Sequence, residues 1–221
     1  MSTPRERILA RLRQSRAVQP LHANPSTESE RDWLARQPPL GGLAERFIAE
    51  QQASGSDVRR VAGWAALPEA IVPWLAEAGT RSVITGGEPR LEPLREALAG
   101  DGRFTLRRYD QPAETQRAEL FSTDCGITTS RGAIAETGSI ILVPTPAEPR
   151  LLSLAPEVHL AIVERAGLVP RLADFIESGA YQAEVPTNLV LVSGASRTAD
   201  IELVLAMGVH GPKRLLVALV E

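Results

Sequence analysis

From Leu43 onward, stretches with a helical spacing of apolar residues alternate with short β-prone stretches. Apolar residues that recur every three to four positions predict amphipathic helices, and short apolar runs bounded by turn residues predict strands. The predicted helices are 43–53, 68–78, 90–99, 112–120 and 170–178, and the predicted strands are 57–63, 81–87, 103–110 and 158–170. Pro73 should end or kink the second helix. Strands that alternate with helices predict an α/β fold with a mostly parallel sheet flanked by helices.

Residues 125–145 (CGITTSRGAIAETGSIILVPT) interrupt this alternation. Short β-prone runs are separated there by Gly126, Gly132 and Gly138. Glycines between such runs favour tight turns between strands. The stretch therefore predicts a hairpin-containing insertion in the α/β fold.

The last part of the chain predicts one more strand–helix–strand unit. Residues 187–193 (TNLVLVS) predict a strand, and residues 198–207 predict a helix whose apolar side chains share one face. Residues 214–220 (RLLVALV) are apolar on both faces, as in a strand buried within a parallel sheet. The three elements together have the length of one βαβ unit.

The amino-terminal part of the chain has a different composition. Thr3, Pro4 and Glu6 form a helix-start signature, which predicts a helix that extends to about Val18. Residues 19–42 are rich in Pro, Ser and Glu, and this predicts a surface connection. We therefore expect residues 1–42 to be an N-terminal helix with its Pro/Ser-rich connection, and residues 43–221 to be the α/β domain.

Composition excludes several classes of function. The 221 residues carry a formal net charge of −3 spread over both signs, so we expect no binding to nucleic acid. One Cys cannot form an internal disulfide, a thiolate zinc site or a cysteine-ligated iron–sulfur cluster, and the three His lack metal-ligand spacing, so we predict no metal site. The amino terminus has no apolar signal, and no run reaches the ~18 apolar residues of a membrane span; we expect a cytoplasmic protein.

The first candidate site is the polar segment that follows the strand predicted at 187–193. It contains Ser193, Gly194, Ser196, Arg197, Thr198 and Asp200. Placed between a strand and a helix, such a segment offers free backbone N–H groups, hydroxyl donors and the positive end of a helix dipole to an anion. The guanidinium of Arg197 suits a carboxylate or phosphate. The alternative is an ordinary capped loop with Arg197 in solvent.

The second candidate site lies in residues 124–139. Asp124 and Glu136 are its acids, and Thr128, Thr137 and Gly138 are close to them in the chain. Apolar neighbours and a glycine turn suggest poorly solvated surroundings for Glu136, where a carboxylate acts as a base or nucleophile. The alternative is that Glu136 points outward or accepts hydrogen bonds from turn amides. For Cys125 and His159 we expect buried structural roles.

Three segments of the chain resemble one protein family. GITTSRGAIAETGSIIL (126–142), PEVHLAIVE (156–164) and SGASRTADIELVLAMGVHGPKRL (193–215) are similar to the lactate utilization protein C family, whose members share a lactate-utilization domain. The resemblance extends over roughly residues 40–221. It implies the fold of coenzyme A transferases and sugar-phosphate isomerases. It also implies a role in bacterial growth on L-lactate, in which three components convert lactate to pyruvate and the two sister components are iron–sulfur proteins.

The resemblance also implies which residues line the pocket. The shared pattern includes all of the candidates above: Asp124, Thr128, Glu136, Thr137, Gly138, Ser193, Gly194, Ser196, Arg197, Thr198 and Asp200. It also includes Gly126, Pro156 and His159. The segment Glu136-Thr137-Gly138 resembles the Glu-x-Gly turn that presents the carboxylate nucleophile in coenzyme A transferases.

Three hypotheses for the function follow. The first is a non-redox component of a lactate-oxidising system that binds a small carboxylate or an anionic cofactor, with Arg197 as the anchor and Glu136 or Asp124 as the catalytic group. The second is an acyl- or coenzyme A transferase-like enzyme with Glu136 as nucleophile. The third is an assembly or regulatory subunit without a ligand. The iron–sulfur sister proteins that the resemblance implies are the expected partners; co-purification with them would favour the third hypothesis and speak against the second. The sequence does not identify a cofactor.

Overall fold

The computed structural model describes residues 5–6, 8–11, 39–111, 113–178, 186–199, 205–207 and 211–221. For residues 113–114, 197–199 and 205–207 only the backbone is described. The chain divides into two units, residues 1–39 and 40–221. In the first unit, residues 5–6 and 8–11 are helical, within the range predicted for the N-terminal helix. The rest of that helix and most of the predicted connection lie outside the described residues.

The second unit contains helices and strands in the alternation that the hydrophobic pattern predicts. In chain order they are α1 (Leu43–Ala53), β1 (Asp57–Val61), α2 (Leu67–Glu77), β2 (Ser82–Thr85), α3 (Glu92–Gly100), β3 (Thr105–Arg108), α4 (Ala113–Ser122), β4 (Cys125–Thr129), β5 (Gly132–Ile134), β6 (Ser139–Leu142), β7 (Val158–Glu164), β8 (Leu168–Val169), α5 (Leu172–Glu177), β9 (Val190–Val192), β10 (Arg197–Ala199), β11 (Leu205–Met207) and β12 (Arg214–Val220).

Six strands form the main sheet in the order β1-β12-β7-β4-β2-β3, and all of its neighbours are parallel. This confirms the predicted α/β fold with a mostly parallel sheet. β12 lies between β1 and β7, and every residue of it except Arg214 is buried, as its two apolar faces predict. None of the helices among the described residues is long and apolar enough to cross a membrane.

Helices cover both faces of the main sheet. On one face, α2 and α3 pack against side chains such as Val83, Ile127 and Leu160. On the other face, Phe47 of α1 packs with Ala161 and Val217, and burying one such side chain stabilises the fold by about 2 kcal/mol. Pro73 does not end α2, because the helix continues to Glu77. The buried side chains of Ile71, Trp74 and Leu75 on either side of Pro73 hold it against the sheet.

A second, four-stranded sheet has the order β8-β5-β6-β9. β5 and β6 are antiparallel neighbours, so the predicted hairpin exists over residues 132–142. The range predicted for the insertion was too wide, because β4 belongs to the main sheet, where it pairs with β2 and β7. The apolar residues Ile140 and Leu142 of this sheet pack in the same core as Phe47 of α1.

The helix predicted over residues 198–207 is wrong. Within the described residues, Arg197–Ala199 and Leu205–Met207 form β10 and β11, which pair as an antiparallel hairpin. The preceding strand is not part of a βαβ unit either, because β9 pairs with β6 in the second sheet. Both hydrogen-bonding edges of β12 are occupied by β1 and β7. A short apolar pattern does not distinguish helix from strand, and the pairing of β10 with β11 decided the outcome here.

Candidate functional site

Three hydroxyl groups join the two segments that the sequence marks as candidate sites. The Oγ of Ser139 lies 2.7 Å from Thr137 Oγ1 and 2.7 Å from Ser193 Oγ. The antiparallel pairing of β6 with β9 produces this contact, since it sets Ile140 opposite Val192 and thereby Ser139 beside Ser193. We call Thr137, Ser139 and Ser193 the hydroxyl cluster. Ser139 is buried, whereas Thr137 and Ser193 are exposed. The two hydrogen bonds within the cluster use two of its three hydroxyl protons, so one of the exposed hydroxyls is left to donate to a ligand.

The last turns of α1 hold the hydroxyl cluster in place. The buried side-chain amide of Gln51 donates from Nε2 to the carbonyl oxygen of Gly138. Its Nε2 also lies 3.4 Å from the carbonyl oxygen of Val192. It therefore links the β5–β6 turn to β9. Sequence analysis did not select Gln51, although a polar residue that follows Ala44 and Phe47 on the buried face of a helix is a usable signal.

The two candidate glycines of these segments face the same helix. Gly138 has φ +65°, a backbone conformation that favours glycine, and a Cβ there would lie 2.8 Å from Glu50 Cβ. A Cβ on Gly194 would lie 2.8 Å from Ser54 Oγ. Close packing against Glu50 of α1, and against Ser54 directly after it, thus leaves little room for a side chain at either position.

Glu136 lies in solvent-accessible surroundings and has a cationic neighbour. Its side chain is 45% exposed, and its Oε1 lies 3.5 Å from Nε of Arg171, a residue that sequence analysis missed. Its backbone N–H donates to the carbonyl oxygen of Pro170. The expectation of poorly solvated surroundings for Glu136 is therefore wrong, because the β5–β6 turn carries this carboxylate outward.

The segment after Ser193 leads into a strand. The backbone N–H of Ser196 donates to the carbonyl oxygen of Pro212, and β10 begins at Arg197. No helix begins in the described residues of this segment, so the argument from a helix dipole fails. Arg197 and Thr198 are placed by backbone only, and Asp200 lies outside the described residues.

Asp124 lies at the amino ends of the strands of the main sheet, opposite their carboxyl ends. Its Oδ2 accepts hydrogen bonds from the backbone N–H groups of Arg81 and Ser82, at 2.9 and 2.8 Å. Partial burial acts to raise the pKa of Asp124, but these N–H donors hold it below its ordinary value. The carboxylate thus joins the amino ends of β2 and β4, which corrects the expectation that Asp124 accompanies Glu136 as a catalytic group.

Thr128 bonds to a buried histidine and is not part of the hydroxyl cluster. Its Oγ1 lies 2.8 Å from Nε2 of His159 in the neighbouring strand. Burial lowers the pKa of His159 to about 4, so the ring is neutral near pH 7. Burial also raises the pKa of Cys125 to about 12. The predicted structural burial of His159 and Cys125 is confirmed.

Comparison with known proteins gives one consistent result. The LUD domain family matches residues 44–220. An uncharacterized protein of Neisseria meningitidis serogroup B is 32% identical over 182 residues, which cover 74% of this chain and 78% of the relative. Lactate utilization protein C of Halalkalibacterium halodurans is 32% identical over 161 residues, 70% of this chain and 69% of the relative. A crystal structure of a DUF162 family protein from Deinococcus radiodurans matches with a TM-score of 0.62 and 27% identity, covering 83% of this chain and 100% of that chain.

Proposed function

Because the chain belongs to the LUD domain family, we propose that it is a non-redox component of a bacterial system that oxidises L-lactate to pyruvate. The relative named lactate utilization protein C, which matches over 70% of this chain, supports this role. The single Cys of the sequence is buried, so the chain has no thiolate set for an iron–sulfur cluster. Iron–sulfur sister proteins would carry the electrons and are its expected partners.

The proposed ligand site is the hydroxyl cluster, and the ligand is a small carboxylate or an anionic cofactor. The contact between Ser139 and Ser193 carries this proposal, because it brings together two segments that are 54 residues apart in the chain. Thr137 would donate to Ser139 and Ser139 to Ser193, which leaves the exposed hydroxyl of Ser193 to donate to the anion. Arg197, which begins β10 four residues after Ser193, would supply a guanidinium to the same anion. Acyl transfer through Glu136 is not part of the proposal, since Glu136 is exposed and lies next to Arg171.

We expect Ser193→Ala to impair growth on L-lactate. The substitution removes one exposed donor, so it should weaken anion binding about tenfold and change the stability of the fold by less than about 0.5 kcal/mol. In the organism that carries this gene, deletion should slow growth on L-lactate but not on glucose. The wild-type gene should restore growth, and the Ser193→Ala gene should restore it only in part.

Ser122→Ala is the matched control for that experiment. Ser122 is also an exposed serine, and its hydroxyl donates only to the carbonyl oxygen of Glu119 within α4. The gene that carries Ser122→Ala should restore growth on L-lactate fully. Normal growth of the deletion strain on L-lactate would refute the proposed role, and full restoration by Ser193→Ala would refute the proposed site.

A further inference from the structure

A small cleft opens at the carboxyl end of β4, away from the hydroxyl cluster. Ser139 begins β6 at the cluster, and Leu142 ends the same strand in the wall of the cleft. About 20 Å³ of the cleft is accessible to a water molecule. This is room for one water molecule or for one ion of similar size. The groups in the wall therefore decide which single small particle the cleft can bind.

Glu148 is the acid of this cleft. One carboxylate oxygen, Oε1, accepts a hydrogen bond from the backbone N–H of Thr129 at 2.9 Å, and Oε2 accepts one from Thr129 Oγ1 at 2.5 Å. Each oxygen keeps a second lone pair for a ligand. Burial raises the pKa of Glu148 above its ordinary value, although the hydrogen bonds from Thr129 oppose that shift. The cleft thus contains a fixed, half-buried negative charge that is poorly solvated.

The other polar groups of the wall offer oxygen lone pairs rather than hydrogen-bond donors. Thr129 uses its hydroxyl proton on Glu148, and Ser153 Oγ donates to a backbone carbonyl within its own turn, at 2.9 Å. The backbone N–H of Glu148 is used within its own loop, at 3.0 Å. Pro144 and Pro149 also line the cleft and have no N–H. A wall of acceptors around a negative charge favours a cation and disfavours an anion.

Size and charge together select a monovalent cation. Among the described residues that line the cleft, Glu148 is the one acid. Ca²⁺ takes about six to eight oxygen ligands and Mg²⁺ keeps several of its waters, for which this cleft has no room. K⁺ is nearly the size of a water molecule, and neutral oxygens can replace its hydration shell. The sequence argument against a metal site concerned Cys and His ligands, which K⁺ does not need.

We propose that this cleft binds K⁺. Glu148 supplies the negative charge, and Thr129 Oγ1 and Ser153 Oγ supply neutral oxygen ligands. The ion joins residues 144–150 to the carboxyl end of β4 and thereby stabilises the fold. Arg150, an exposed residue of the same wall, repels the ion and limits its affinity. The proposal does not depend on the proposed role in lactate utilization.

The test is thermal unfolding of the full chain in KCl and in choline chloride, whose cation is too large for the cleft. If the dissociation constant lies about tenfold below the salt concentration, K⁺ should raise the melting temperature by roughly 3 °C relative to choline. Glu148→Gln should abolish this difference, because the amide has a similar shape but no charge. Arg150→Gln should enlarge it, because a repelling charge is removed.

Glu157→Gln is the matched control for Glu148→Gln. Glu157 is an exposed carboxylate that pairs with Lys213 outside the cleft. Its replacement should leave the difference between the two salts as in the wild type. Circular dichroism at low temperature establishes that each variant folds.

A crystal grown in RbCl gives a readout that does not depend on any variant. Rb⁺ replaces K⁺ in oxygen sites and scatters anomalously, so an anomalous peak should lie in the cleft beside Glu148. Three outcomes would each overturn the proposal and leave the cleft to a water molecule. They are equal melting temperatures of the wild type in the two salts, a K⁺ effect that persists in a folded Glu148→Gln, and a cleft without an anomalous peak.

Discussion

Replacing Gly126 by alanine should destabilise the fold by about 3 kcal/mol. Gly126 lies in β4, between β2 and β7 in the main sheet. A Cβ at this position would lie 2.1 Å from the carbonyl oxygen of Leu152 and 3.0 Å from Cγ of Pro156. The carbonyl belongs to the backbone and cannot rotate away as a side chain would. The segment that contains Leu152 must therefore move off the sheet, and its packing against Ile84 and Leu120 would be lost.

Gly100→Ala is the matched control for Gly126→Ala. Gly100 ends α3, and a Cβ there would meet nothing within 4 Å. Because alanine has the better helix propensity, this variant should be as stable as the wild type or up to about 1 kcal/mol more stable. Urea unfolding monitored by circular dichroism measures both changes. Equal unfolding midpoints for the two variants would contradict the close approach of Leu152 to β4.

The stability of the protein should fall as the pH is lowered from about 6.5 to about 4, and His159 should cause a large part of that loss. Burial lowers the pKa of His159 from 6.5 to about 4 in the folded state. Between these values the unfolded chain binds a proton that the folded chain does not, so acid favours unfolding. The difference of about 2.5 pKa units corresponds to about 3 kcal/mol. Above pH 6.5 His159 should cause no change of the free energy of unfolding with pH, and below pH 4 it should cause no further loss.

His159→Gln isolates this contribution, because glutamine does not titrate and still offers a hydrogen bond to Thr128 Oγ1. Free energies of unfolding in urea, measured for both proteins from pH 7.5 to pH 4.5, should converge as the pH falls. Wild type should be the more stable protein at pH 7.5 and should lose more stability than the variant on acidification. Parallel curves would show that His159 is not held neutral in the folded state.

Most of the main sheet could be predicted because the apolar residues of its strands indicate which strands are buried. The run RLLVALV is apolar on both faces, and β12 is buried between β1 and β7. β4 was harder to assign, since CGITT contains a glycine and two threonines and resembles a hairpin strand. Its pairing with β2 and β7 places it in the sheet, and neither that pairing nor the close approach of Leu152 to Gly126 can be read from the local pattern.

The failure at residues 198–207 has a similar origin. A few apolar residues at helical spacing fit a short strand equally well, and the pairing of β10 with β11 decides between the two. The error also affected the candidate site, because the expected helix dipole was one of the reasons to predict anion binding near Ser193. In the structure Ser193 of that segment lies beside the 136–139 turn, through its contact with Ser139.

The residues that were missed owe their positions to contacts between distant segments. Glu148 stands in the proline-rich stretch PTPAEPR, which by itself predicts an exposed loop. Its burial follows from the hydrogen bonds with Thr129, 19 residues earlier in the chain. Gln51 likewise bonds to Gly138, 87 residues later. Local hydrophobic pattern contains no information about such partners.

The central claim is that residues 136–139 and 193–196 together form an anion site around the hydroxyl cluster. Titration of ¹⁵N-labelled protein with L-lactate, pyruvate and inorganic phosphate, followed by amide chemical shifts, tests it most directly. We predict that at least one of these anions shifts amides in both segments, and that Ser193→Ala weakens this response about tenfold while Ser122→Ala leaves it unchanged. Shifts in only one of the two segments, or in neither of them with any of the three anions, would contradict the account.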